Sequence, residues 1–288
     1  MDNPMTTPEK RKALRFWVAL PHAKRPIAAL LALVLASFSA QPAAAETIAS
    51  LSTVRAGASR EDVSGPSPAE AQPAPGRLPR RANFEQELAS PESRDMADWV
   101  VDSGDNRNLP FLIIDKVQAR VFVFDAHGQL RGAAAALLGM AVGDDSVPGI
   151  GERKLSSIRP EERTTPAGRF VAALDRNLHG EEILWVDYDA AISLHRVVTS
   201  QPKERRAQRL ATPTPLDNRI SYGCINVPVK FYENVVSPAF TGTDGIVYIL
   251  PETRSAREVF GSYDVGEAAR LQTASRSASA PVASHAAR

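Results

Sequence analysis

The chain contains a single cysteine, Cys224, in the segment ISYGCINVP (220–228). The N-terminus predicts export, and an exported thiol with no cysteine to pair with is a liability unless its reactivity is used. Gly223 allows a positive φ or a close backbone approach directly before the thiol, and Pro228 suits the first turn of a following helix, whose N-terminus would favour the thiolate. The pattern predicts that Cys224 is a nucleophile. The alternative is a buried cysteine that packs as a small apolar side chain.

A thiol nucleophile usually acts with a base, most often a histidine. After the first 45 residues the chain has four of them: His127, His179, His195 and His285. The first two precede a glycine in apparent turns, and the last lies in an Ala- and Ser-rich tail. His195 belongs to an alternating segment (192–197) in which the apolar residues share one face, so its side chain points to the other. We expect His195 to be the base for Cys224; the alternative is a half-exposed strand histidine.

The part of the chain that contains Cys224 and His195, about residues 111–250, has mostly the pattern of β-strands. Short runs of Val, Ile, Leu and Phe between turn signals predict strands. The expected strands are 111–115, 119–125, 129–138, 169–174, 183–188, 191–198 and 245–250. Helices are expected at 91–101, docked on the domain, and at 228–236, ending before Pro238. We therefore expect a mainly β fold, a single antiparallel sandwich or barrel-like domain with a few short helices.

The domain is flanked by segments of different composition. Residues 1–45 combine a basic start, an apolar run too short to span a bilayer and a small-residue site ending at Ala45, which predicts a signal peptide. The alternative is an uncleaved membrane anchor. Residues 46–91 are Pro-, Ala- and Ser-rich and are expected to be a disordered linker, with the catalytic domain at 92–255 and a disordered tail at 256–288.

The composition of the chain limits the classes of partner that the protein is expected to bind. Cleavage after Ala45 removes six of 34 basic and two of 33 acidic residues, which leaves 28 against 31 and a net charge of −3. That balance predicts no nucleic-acid binding. No second segment is apolar enough to cross a membrane, so the expected location is exported, in the periplasm or cell envelope. One cysteine and scattered histidines lack zinc-ligand spacing, and we expect neither metal nor cofactor.

Four elements in order resemble the L,D-transpeptidases, the YkuD-type catalytic domains, over roughly residues 110–251. They are FLIIDKVQARVFVFDAHGQL, RTTPAGRF (163–170), His195 followed by SYGCIN (221–226), and GIVYILPE. The resemblance implies that Cys224 attacks a peptide stem of peptidoglycan and forms an acyl-thioester, with His195 as base. It also implies an oxyanion hole made by backbone N–H groups around Tyr222 to Cys224.

Several further residues are candidates for supporting roles. Ser221 and Asn226 are expected to brace the turn or to hold His195 by hydrogen bonds, with structural capping as the alternative. Three arginines are candidates for binding a substrate carboxylate, with an ordinary surface role as the alternative for each. They are Arg163, Arg169 and Arg219.

The chain departs from the family pattern in two places. Tyr222 stands where many members have histidine, and Cys224 follows His195 by 29 positions, more than usual. The extra length is the polar segment 199–218, either a lid or substrate-facing loop or a solvated surface insertion. The order of His195 and Cys224 disfavours a papain-like hydrolase, in which the cysteine comes first. A peptidoglycan hydrolase using the same pair and a catalytically silent wall-binding domain remain alternatives, and the acceptor is left open.

Overall fold

The computed structural model describes residues 77–279. The expected signal peptide, most of the expected linker and the last nine residues lie outside the described residues. Ten strands and six α-helices are described. The strands are β1 Phe111–Asp115, β2 Arg120–Phe124, β3 Leu130–Ala135, β4 Leu138–Gly139, β5 Gly168–Arg176, β6 Glu182–Asp187, β7 Ile192–Arg196, β8 Arg219–Ser221, β9 Ile225–Val227 and β10 Gly245–Ile249. The helices are α1 Pro91–Ser103, α2 Arg206–Ala211, α3 Val229–Phe231, α4 Ser237–Phe240, α5 Ala256–Phe260 and α6 Val265–Ser279.

Eight strands form one sheet in the order β3-β2-β1-β10-β5-β6-β7-β9. The mainly β prediction is confirmed, but the sheet is mixed, because β1 pairs parallel to β10 and β7 pairs parallel to β9. The two edges of the sheet approach each other where Leu137, after β3, exchanges both backbone hydrogen bonds with Asn226 of β9 at 2.8 and 2.9 Å. This contact nearly closes the sheet into a barrel and brings the segment after β3 beside the Cys224 motif.

Two apolar cores lie on opposite faces of the sheet. The alternation along β1 shows the division, because Leu112 and Ile114 point to one core while Phe111 and Ile113 point to the other. The first core is covered by the helical segment 229–240, through Tyr232, Val236 and Phe240, which are 0–1% exposed. The second is covered by α1 through Met96, Trp99 and Val100. Burial on both faces explains why the central strands are continuous apolar runs.

The helix after the motif is longer than expected. It begins after Pro228 and continues through α3, a π-helical turn at Tyr232–Val236 and α4, so it passes Pro238 instead of ending before it. Proline removes one helical N–H donor and crowds the preceding turn. The wider π turn directly before it accommodates that change, which the sequence pattern does not indicate.

Both expected boundaries of the folded domain differ in the structure. Residues 77–90, assigned to the linker, pack on the domain through Phe84, whose ring contacts those of Phe122 and Phe124 at 5.5 and 5.0 Å. Beyond residue 255, α5 and α6 follow, and Tyr263 between them donates a hydrogen bond to Asp102 of α1 at 2.8 Å. A few apolar and aromatic residues are enough to dock these polar segments, because they pack against the second core, the one that α1 covers. Within residues 77–279 no helix is both long and apolar enough to cross a bilayer.

Candidate active site

Cys224 lies in the turn that joins β8 to β9, half-buried. The expected helix N-terminus is not at the thiol, because β9 comes between Cys224 and the first helical residue, Val229. The short strand forms because Ile225 and Val227 enter the first core, beneath the helical segment 229–240, which favours extended backbone over an immediate helix. Any ionisation of the thiol must therefore come from side chains and strand backbone, not from a helix dipole.

Ser221 forms hydrogen bonds within the turn. Its Oγ donates to the carbonyl oxygen of Cys224 at 2.6 Å and accepts the N–H of Gly223 at 3.1 Å. One buried hydroxyl thus fixes the backbone on both sides of the motif glycine. The Gly223 N–H was expected to be an oxyanion donor, but the bond to Ser221 already occupies it. The N–H groups of Tyr222 and Cys224 form no hydrogen bond with other described residues and are left for that role.

Gly223 adopts a φ of +130° in a closely packed position. A Cβ there would lie 2.7 Å from Cδ1 of Ile192 and 2.8 Å from the carbonyl oxygen of Thr164. Thr165, fully buried, donates its hydroxyl to the Gly223 carbonyl at 2.7 Å and accepts the Gly139 N–H at 2.8 Å. The motif glycine is thus required both by its conformation and by the approach of the 164–165 backbone.

His195 lies on β7, the parallel neighbour of β9, and is half-buried. Its Nδ1 lies 2.7 Å from the carbonyl oxygen of Arg196, which can only accept, so Nδ1 carries the proton in the neutral ring. Nε2 is then the unprotonated nitrogen and can take a proton from a thiol. β7 and β9 pair in register at His195 and Asn226, two residues after Cys224, and a hydrogen bond links the imidazole to the thiol. That the two act as base and nucleophile stays a prediction.

The two groups change each other's ionisation. Burial by itself raises the pKa of the Cys224 thiol, but a hydrogen bond to His195 and its positive charge, with further hydrogen bonds from Ser193, bring that pKa below its ordinary value. Burial likewise lowers the pKa of His195, and the hydrogen bond and charge of Cys224 outweigh it, so that this pKa is raised. Both directions favour a thiolate–imidazolium pair.

Ser193 is a site residue that the sequence analysis did not identify. It lies two positions before His195 on the same face of β7, buried, with its Oγ 3.6 Å from the Cys224 Sγ. The alternation that turns His195 toward the site also turns Ser193 toward it, so the strand pattern carried the signal. Its hydroxyl can donate to a thiolate and thereby stabilise the charged form.

Asn226 occupies the centre of the site's hydrogen bonds and is 1% exposed. Its Nδ2 donates to the carbonyl oxygen of Cys224 at 3.3 Å and lies 3.5 Å from Nε2 of His195. Its Oδ1 accepts a hydrogen bond of 2.8 Å from Nη1 of Arg206, which belongs to α2 in the insertion 199–218. Asn226 therefore lies between the Cys224 carbonyl, the imidazole of His195 and a helix of the insertion, a connection that the sequence pattern does not indicate.

The three candidate arginines have different surroundings. Arg219 pairs with Glu252 and donates to the Lys116 carbonyl oxygen at 3.0 Å. Arg169 pairs with Asp105 at 2.6 Å, close to α1. Since structural carboxylates already bind both guanidinium groups, neither is positioned as expected for a substrate carboxylate.

Arg163 is the candidate arginine that contacts the motif. Its guanidinium stacks on the Tyr222 ring, with Cζ 3.8 Å from the ring centroid, and it donates to the Ile158 carbonyl oxygen at 3.0 Å. The stacking is a cation–π contact that holds the half-buried Tyr222 side chain over the 163–165 segment. Among the ring contacts described, Arg163 is the only partner of the Tyr222 ring. Tyr222 therefore has a packing role beside the thiol.

A groove of about 1050 Å³ leads to the imidazole along the outer face of β6 and β7. Its walls include Ser193, His195, Trp185 and Glu233, together with the β5–β6 turn (177–181). Trp185 stacks on Tyr188 with ring centroids 4.9 Å apart. Cys224 is not part of the lining, so a ligand in the groove would meet the pair from the imidazole side. In the part of the chain described, no group of three or more metal-ligating side chains is placed to hold a metal ion.

Comparisons with known proteins return solved structures only; no family model and no curated protein matches the chain. One is L,D-transpeptidase 3 from Mycobacterium tuberculosis in complex with a faropenem-derived adduct, with 14% identity and a TM-score of 0.32 over 50% of this chain and 60% of that chain. Another is the catalytic domain of an E. faecium L,D-transpeptidase, with 15% identity and a TM-score of 0.28 over 49% and 96%. A third is an L,D-transpeptidase in complex with imipenem, with 13% identity and a TM-score of 0.29, of which this chain spans 58%.

Proposed function

We propose that the protein is a cysteine-dependent acyltransferase of the L,D-transpeptidase type, acting on peptide stems of peptidoglycan. The observation that carries the proposal is the arrangement of the SYGCIN turn against β7. Two features support it: His195 and Ser193 lower the pKa of the Cys224 thiol, and the N–H of Cys224 has no partner among the described residues. A buried cysteine with a purely structural role needs none of these features.

The first step is acylation of the thiol. The Cys224 thiolate attacks the carbonyl carbon of the third residue of a tetrapeptide stem, and the N–H groups of Cys224 and Tyr222 receive the charge that develops on the oxygen. The peptide bond to the terminal D-alanine then breaks. Its nitrogen takes the proton held on Nε2 of His195, D-alanine leaves, and a thioester remains on Cys224.

The second step transfers the acyl group to an amine. The acceptor nitrogen attacks the thioester carbonyl, His195 takes the proton that this nitrogen loses, and the Cys224 thiolate is released as a new amide forms. An amine on a neighbouring stem gives a cross-link, whereas water would give hydrolysis. We include export to the periplasm or cell envelope in the proposal, since peptidoglycan lies there and residues 1–45 have the pattern of a signal peptide.

The test is a reaction with a defined donor. The purified protein is incubated with a disaccharide tetrapeptide, with and without an added amine acceptor, and the products are identified by mass spectrometry. The proposal predicts release of D-alanine and an acceptor-dependent amide product. Cys224→Ser should give neither. The proposal is contradicted if Cys224→Ser releases D-alanine as fast as the wild type does. It is also contradicted if the wild type releases no D-alanine with any acceptor.

A further inference from the structure

We infer that Arg206, in the insertion 199–218, is a positioning residue for the reactive pair, acting through the side-chain amide of Asn226. The inference rests on the proposed function only for the identity of the acyl group, not for the reactivity of the thiol. It assigns to the insertion a role in forming the site in place of the lid or surface roles expected from its sequence.

Arg206 binds Asn226 of the site and, at the same time, residues of its own segment. The Arg206 side chain is 13% exposed and its Nε pairs with Glu204 at 2.6 Å, while its Nη1 donates to Asn226 Oδ1 at 2.8 Å. Arg209, one turn further along α2, ties the insertion together by donating to the carbonyl oxygens of Glu204 at 2.8 Å and Asp217 at 2.5 Å. Arg206 is therefore oriented by its own segment before it reaches the site.

The chemistry of arginine determines which way the Asn226 amide faces. A guanidinium only donates hydrogen bonds, so the atom of Asn226 next to Arg206 must be the carbonyl oxygen. The NH₂ group must then face the Cys224 carbonyl oxygen and Nε2 of His195, where it lies at 3.3 and 3.5 Å. With its NH₂ group facing this way, Asn226 holds the Cys224 carbonyl and borders the imidazole, so its orientation sets how the thiol and Nε2 lie relative to each other.

The charge of Arg206 acts in the opposite direction to its position. Burial and the nearby charge of Arg206 both lower the pKa of His195, against the effect of Cys224. Loss of the Arg206 charge alone would therefore help the imidazole to hold a proton and favour the thiolate. A loss of thiol reactivity on removing Arg206 thus reports the lost orientation of Asn226 and not the lost charge.

The experiment measures two rates on the purified full chain. Alkylation of Cys224 by iodoacetamide forms an S–C bond with release of iodide and depends on the thiolate alone, whereas acylation by a carbapenem also depends on substrate fit. Arg206→Met should lower both rates by about 10-fold, and Arg206→Lys, which keeps a donor, should recover most of each loss. Lys203→Met removes a positive charge from an exposed side chain of the same insertion and leaves the contacts of Arg206 in place, so it should leave both rates near those of the wild type.

A second comparison tests the route through Asn226. In an Asn226→Ala background, Arg206→Met should have little further effect, because residues that act through one hydrogen-bond network are not additive. Unchanged rates in Arg206→Met, equal losses in Lys203→Met, or full additivity with Asn226→Ala would each overturn the inference. A wild-type chain that is alkylated but never acylated would contradict the proposed function while the alkylation rates still decide the role of Arg206.

Discussion

The hydroxyl of Ser193 and the thiol of Cys224 face each other across β7 and the β8–β9 turn, with 3.6 Å between Oγ and Sγ. Two residues further along the same strand, His195 lowers the pKa of the same thiol by a hydrogen bond and by its positive charge. A single strand therefore delivers both a base and a hydroxyl donor to the nucleophile. Because strand alternation fixes both side chains on one face, the two act on the thiol without any flexible element between them.

Removal of the Ser193 hydroxyl should raise the pKa of the thiol. Ser193→Ala takes away one group that lowers this pKa, while burial, which raises it, and His195 remain. The rate of alkylation by iodoacetamide as a function of pH should therefore rise at a higher pH than in the wild type. An unchanged midpoint would show that the hydroxyl does not stabilise the thiolate.

The wild-type curve has a predicted direction of its own. Since the pKa of Cys224 is lowered and that of His195 is raised, the thiolate should form below the ordinary thiol pKa of about 8.5. As the pH falls through the lowered thiol pKa, the thiolate and its reactivity should be lost. In His195→Ala the remaining effect of burial should move the midpoint above that of the wild type, as measured by thiolate absorbance in the ultraviolet.

Loss of the imidazole should also slow acylation. His195→Ala removes the group that accepts the thiol proton and should lower the rate of carbapenem acylation by a factor on the order of 10²–10⁴. His127→Ala is the matched control, because His127 lies in an exposed turn outside the lining of the groove. Similar losses in both variants, accompanied by lower melting temperatures, would indicate damaged folding instead of a lost base.

The Thr165 hydroxyl should stabilise the fold as well as the site. Thr165→Val leaves the Gly223 carbonyl and the Gly139 N–H without their buried partner, at 2.7 and 2.8 Å in the native protein. The free energy of unfolding in urea should fall by about 1–3 kcal/mol, as is typical for buried polar groups left unpaired. Thr165→Ser keeps the hydroxyl and should lose much less. Equal losses in the two variants would assign the effect to packing.

Two substitutions in the motif should separate backbone from side-chain effects. Gly223→Ala places a Cβ 2.7 Å from Ile192 and 2.8 Å from the Thr164 carbonyl at a φ of +130°, and should lower acylation by ~10²-fold through displaced N–H donors on either side. Tyr222→Phe keeps the ring that stacks under Arg163 and should retain most activity. A large loss in Tyr222→Phe with little loss in Gly223→Ala would make the tyrosine hydroxyl an oxyanion donor.

Local sequence predicted the elements that have a strong pattern of their own. The apolar runs of β1, β2 and β10 mark buried strands because both faces of the central sheet are covered. β8 and β9 were missed because three residues each carry too little pattern, and their partners, β4 and β7, are distant in the chain. The π turn before Pro238 and the docking of residues 77–90 likewise depend on tertiary contacts that no short window contains.

The candidate site likewise has features that the local sequence predicts and features that it does not. Residue type, the absence of a second cysteine and strand alternation are enough to predict Cys224 and His195 as the reactive pair. The occupied Gly223 N–H depends on a bond to Ser221 that only the folded turn reveals. The contact of Arg206 with Asn226 links residues 20 positions apart through a six-residue helix, and composition indicated only a polar insertion. Such contacts are set by packing between elements and not by the local pattern.

The most direct measurement is the intact mass of the protein after incubation with a carbapenem, a small acylating mimic of a peptide stem. If Cys224 is the nucleophile, the wild-type mass rises by one drug unit and peptide mapping places the adduct on residues 220–228. Under the same conditions the mass of Cys224→Ser does not change. A wild type that stays unmodified, or an adduct that persists in Cys224→Ser, would contradict the assignment of Cys224 as the acylated residue.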